Sequence, residues 1–62
     1  MNMQPKAVIS MDENFMNQGC AVVIRIKDGV GKAFFIKDDK VSVDYHFYLA
    51  ELAEQGYCFE FK

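Results

Sequence analysis

The sequence predicts an α+β fold: a small antiparallel sheet of four to five strands with one helix from the C-terminal half packed on one face, in the order β-β-β-β-α-β. Three observations carry that expectation. Residues 20–27 are rich in β-branched side chains and run into Asp28-Gly29-Val30-Gly31, where paired glycines supply turn geometry. Tyr45, Tyr48, Leu49, Leu52 and Ala53 recur at helical spacing and stop before Gly56. Tyr57, Phe59 and Phe61 alternate with Cys58, Glu60 and Lys62, the period of a strand.

The elements follow in order. Ala7 to Met11 is a short β-prone stretch after Pro5. The polar segment from Asp12 to Gly19 reads as a loop, with Phe15 and Met16 turned back toward the body. Cys20–Lys27 and Lys32–Lys37 form a hairpin around residues 28–31, and Asp38-Asp39-Lys40 is a second turn. From Val41 two periods compete. Val41, Val43, Tyr45 and Phe47 alternate as in a strand, yet the helical stripe also begins at Tyr45. The division expected is a strand near 41–44 and a helix near 46–55. A helix starting at Asp44 instead would put Phe47 on the polar side with Glu51 and Glu54. All of this is one domain, 1–62.

The chain has 62 residues, 52% of them hydrophobic. So short a chain buries a modest fraction of its surface and usually needs a staple: disulfides, a metal or oligomerisation. Cys20, Cys58 and His46 fall short of the four ligands a structural zinc site requires. Residues 1–6 lack the apolar core of a secretory signal, and the longest unbroken apolar run, Ala21–Ile24, is far too short to span a membrane. The expectation is a cytoplasmic chain with reduced thiols, no cofactor and no membrane partner. Oligomerisation remains, and a two-fold homodimer is its commonest form.

Charge is uneven. The net is −2 overall, but residues 25–40 carry +2 and residues 41–62 carry −3. The chain lacks the basic footprint typical of nucleic-acid modules. Gly29-Val30-Gly31-Lys32 is not a phosphate loop: Ile26 and Ala33 stand where that motif needs Gly and Ser or Thr. Phe34 and Phe35 are adjacent, whereas aromatic RNA-binding strands place their rings on alternate residues. Glu51 and Glu54 lie opposite the apolar stripe and read as a solvated face. Neither cysteine shows the neighbours of an activated thiol.

The strongest sequence signal is a sheet face. With Lys27 opposite Lys32, alternation puts Val22, Ile24, Ile26, Ala33 and Phe35 beneath the helix. It puts Val23, Arg25, Lys27, Lys32, Phe34 and Ile36 on the other face: an apolar centre with a basic rim, the anatomy of an interaction site. The competing expectation is that the loop 12–19 folds over that face. The function expected is binding without catalysis, by a dimeric module acting on a partner protein as an inhibitor or adaptor, phage-type blockers of host systems included. The alternative is nucleic-acid or phosphorylated-ligand binding in a dimer groove, with Phe34 stacked on a base and Arg25, Lys27 and Lys32 on phosphates.

Overall fold

The computed structural model describes residues 5–27 and 29–62, and for Val30 the main chain only. It is a small α+β domain in the expected order. The strands are β1 (Lys6–Asp12), β2 (Ala21–Ile26), β3 (Gly29–Lys37), β4 (Lys40–Val41) and β5 (Cys58–Phe61), with helix α1 (Val43–Glu54) before the last. They form a five-stranded sheet in the order β4-β3-β2-β1-β5. The sheet is mixed. Three pairings are antiparallel as expected, but β5 runs parallel to β1, Lys6 beside Cys58 and Ile9 beside Phe61. The helix causes this: it carries the chain from the β4 edge across the sheet to the other edge, the kind of crossover a parallel neighbour requires.

Helix α1 starts earlier than the strand-like alternation suggested. Ser42 has extended backbone (φ −60°, ψ 145°), and its Oγ accepts a hydrogen bond from Asp44 N at 3.1 Å. This N-cap satisfies one of the orphan donors of the first turn, so the helix nucleates at Val43 and the strand stops at Val41. Residues 43–47 are therefore helical, and Val43 and Phe47 point outward, each 67% exposed. The other end is as expected. Gly56 (φ +92°) takes the left-handed position, Gly56 N donates to Ala53 O and Tyr57 N to Leu52 O, both at 3.0 Å, which is a Schellman arrangement. Tyr57 packs back on the cluster that contains Leu52.

The β2–β3 hairpin differs from the sequence expectation, with large consequences. Asp28 lies outside the described residues, but Ile26 pairs with Gly29 (φ +126°), so the turn is two residues long and not four. That change shifts register by an even number and leaves the faces alone. The next step does not. Arg25 pairs with Val30 while Ile24 pairs with Lys32, so Gly31 is an extra residue, a β-bulge. A slip of one residue exchanges the two faces of a strand. Beyond the bulge Phe34 lies opposite Val22 and Phe35 opposite Ala21.

The core sits between sheet and helix. Ala7, Ile9, Ile24 and Leu52 are buried together, with Val22, Ile26, Phe34, Tyr45, Tyr48 and Leu49 packed around them. On the far face Ala21 and Val23 are also fully buried. The 12–20 connection contributes there. Asn14 N donates to Asp12 Oδ1 at 3.0 Å, Phe15 N donates to Gly19 O at 3.0 Å, and a short 3-10 turn spans Phe15–Asn17. The closed loop brings the Phe15 ring to 6.0 Å from Phe35, beside the Phe35–Ala21 pair.

Candidate functional site

The six residues expected to share one exposed face do not. Val23 and Arg25 are on the far face, Val23 buried and Arg25 donating to Ser10 Oγ at 3.0 Å. Lys27 is in the hairpin turn. Lys32, Phe34 and Ile36 are on the helix side, because the Gly31 bulge inverted β3 relative to β2. Phe34 is half-buried between Tyr45 and Tyr48, each 5.9 Å away by ring centroid. Lys32 Nζ lies 5.4 Å from the Tyr48 ring and 5.9 Å from the Phe34 ring, within cation–π range. Conversely Ala33 and Phe35, assigned beneath the helix, lie on the far face. The exposed basic-rimmed patch drawn from alternation therefore does not form. The stacking platform of the nucleic-acid alternative is packed against two tyrosines.

A different surface emerges from the size of the helix. Twelve residues make a rod of about 18 Å. Five strands side by side span about 19 Å, and seven residues of strand about 23 Å. The helix enters from β4 and leaves toward Cys58, which lies beside Lys6 at the opposite end of the sheet from Asp12 and Ala21. It thus runs along a diagonal and leaves two corners of the sheet uncovered. At one corner Lys32 and Tyr48 close over the Gly31 bulge. At the other, where β1 and β5 end, the helix-side residues stand open.

That second corner is a recess of about 200 Å³ lined by Ile9, Ser10, Met11, Val22, Tyr45, Phe61 and Lys62. Each wall has a sequence reason. Met11 follows Ala7 and Ile9 in the inward alternation of β1, and Phe61 follows Phe59 in β5. Tyr45 is the first residue of the helical stripe. The inward pattern continues past the reach of the helix, leaving Met11 60% and Phe61 69% exposed. Both residues were visible in the alternation. What sequence reasoning lacked was the limit of the cover.

Charge lies on the reverse face, along the β1–β5 pair. Lys6 Nζ and Lys62 Nζ approach Glu60 at 3.1 and 3.5 Å, and these cations, Lys6 foremost, hold the Glu60 carboxyl below the usual carboxylate range. Cys20 and Cys58 stand at opposite ends of the sheet, too far apart for a disulfide. Among the described residues no cluster of three or more His, Cys, Asp or Glu side chains is placed to hold a metal ion. No helix among them is long and apolar enough to cross a membrane. No protein-family model, no curated protein and no solved structure matches the chain.

Proposed function

We propose that the chain is a non-catalytic protein-binding domain that acts as a dimer in the cytosol and occupies a partner's surface as inhibitors and adaptors do. The observation that carries this reading is the open corner recess with Met11, Tyr45 and Phe61 around it. Its volume, about 200 Å³, is below the roughly 300–1,000 Å³ of a small-molecule site and suits one apolar side chain of a protein partner. Its lining is mostly apolar, with Ser10 and Lys62 beside Ile9, Met11, Val22, Tyr45 and Phe61. Large exposed apolar groups gathered at one place on a small domain are the mark of an interaction surface, and a side chain seated in such a recess is how binding anchors work.

The test is a photo-crosslinking amino acid at Met11, used in cells of the source organism with and without nuclease. The expected product is a discrete protein adduct that survives nuclease. It should disappear when Tyr45→Ser, checked to remain folded, opens the wall of the recess. An adduct with nucleic acid only, or no adduct at Met11, would overturn the reading.

A further inference from the structure

We propose that two copies of this chain close face to face about a two-fold axis parallel to α1, with Phe47 of each copy seated in the corner recess of the other. This rests on the reading above that the recess takes an apolar side chain of a protein and that the chain works as a dimer, and it names the side chain and the protein. Helix α1 is apolar on two sides. Tyr45, Tyr48, Leu49 and Leu52 pack into the core. Val43, Phe47 and Ala50 are exposed and recur at i, i+4 and i+7, which makes a second stripe on the outer face. A helix apolar on both sides is normally buried on both.

The stripe and the recess look the same way and stand at the same height. The recess opens on the helix side of the sheet with Tyr45 in its wall. Phe47 is two residues from Tyr45, about 3 Å along the axis, and on the opposite side of the helix. A two-fold axis parallel to the helix therefore lays the second helix beside the first. Each Phe47 then points into the other copy's recess, and the two helices form one layer between two sheets. There is room for both. The sheet is about 19 Å wide and a helix with its side chains about 10–12 Å, so the layer above the sheet holds two helices and one chain supplies one.

Area selects the second copy. Phe47 and Phe61 are 67% and 69% exposed, roughly 100–170 Å² of ring each. With Met11 and Val43 the exposed apolar area comes to roughly 400–550 Å² per copy, or about 800–1,100 Å² in the pair. A standard interface buries about 1,600 Å², and a homodimer interface is about 65% apolar, or about 1,000 Å². The reciprocal contact supplies that amount. Pairing the two outer stripes with each other would cover Val43 and Phe47 alone, about half the area, and leave Met11 and Phe61 in water.

Sedimentation equilibrium on the purified chain and photo-crosslinking from position 47 test this. The unaltered chain should be a dimer at micromolar concentration. Phe47→Asp should weaken association about a hundredfold or more, because symmetry removes the anchor twice. Met16→Asp, at an equally exposed apolar residue of the 12–20 connection, should leave association unchanged. Thermal melts should show both variants folded, since both side chains stand in water in the single chain. A photo-crosslinking amino acid in place of Phe47, in a mixture of light and heavy-isotope chains, should link to peptides of the second copy that contain Met11 or Phe61. A monomeric unaltered chain, full association by Phe47→Asp, or crosslinks confined to α1 of the second copy would each overturn the pairing. A monomer that gives an adduct with a different protein at Met11 in cells would remove the second copy and leave the recess as a protein-binding site. A monomer with no Met11 adduct would remove both.

Discussion

Phe34 and Phe35 are consecutive in the chain and pack on opposite sides of the sheet: Phe34 lies 5.9 Å from Tyr48 under the helix, while Phe35 lies 6.0 Å from Phe15 in the loop on the far face. Phe34→Ala removes the ring that joins β3 to two helical tyrosines and should cost about 2–4 kcal/mol. Phe35 is more exposed, so Phe35→Ala should cost about 1–2 kcal/mol, and its main effect should be a loss of amide-exchange protection in residues 13–20. Chemical denaturation ranks the two. If Phe35→Ala proves the more damaging, β3 faces the other way.

The bulge that sets this arrangement depends on Gly31. A Cβ there would stand 2.6 Å from Tyr48 Oη and 3.3 Å from Ile24 O. The Tyr48 ring cannot retreat freely, because Phe34 packs beside it and the Lys32 ammonium lies over it. Gly31→Ala should destabilise by about 1–3 kcal/mol. Tyr48→Phe in the same chain removes the nearest atom and should return part of that loss, which a double-mutant cycle measures as coupling.

Both helix ends are closed by named groups. Ser42→Ala deletes the N-cap acceptor and should cost about 1 kcal/mol. Gly56→Ala forces a Cβ into a φ of +92° and should cost about the same. The sites stand at opposite ends of the helix, so the double variant should show the sum in urea titrations.

The β3–β4 turn holds a reserve of stability. Asp38 and Asp39 have φ of 51° and 61°, the two positive values that a tight hairpin turn demands and that Asn-Gly meets best. Asp38→Asn with Asp39→Gly should stabilise by about 0.5–1 kcal/mol and raise Tm, without a change in register.

Acid should act late on the Lys6–Glu60 contact of β5. The Glu60 carboxyl is held low chiefly by Lys6, so its folded-state value is depressed. The stabilisation is fully present above the carboxylate's unfolded value and is lost as pH falls through the depressed one. Carbon-detected NMR titration should show Glu60 protonating below the ordinary glutamate range, and Lys6→Gln should move it back toward that range.

Elements defined by local chemistry were legible in the chain alone. The stripe from Tyr45 to Leu52, the stop at Gly56 and the alternation through Phe61 depend on backbone period and on φ at one residue, and both are written in adjacent side chains. The start of the helix was less legible, because Val43, Tyr45 and Phe47 fit either period and the Ser42 cap decided between them. Which face each strand presents was a matter for tertiary structure. Alternation says that Lys32, Phe34 and Ile36 share a side, but the side is set by pairing with β2, and Gly31 serves equally well as a turn residue or as a bulge until that pairing exists. The recess had the same origin. Met11 and Phe61 continue inward patterns that are plain in the sequence, and they remain in solvent because a twelve-residue helix on a diagonal cannot reach the end of a five-stranded sheet. Periodicity is a property of neighbours along the chain, whereas register and cover are properties of segments that meet only after folding.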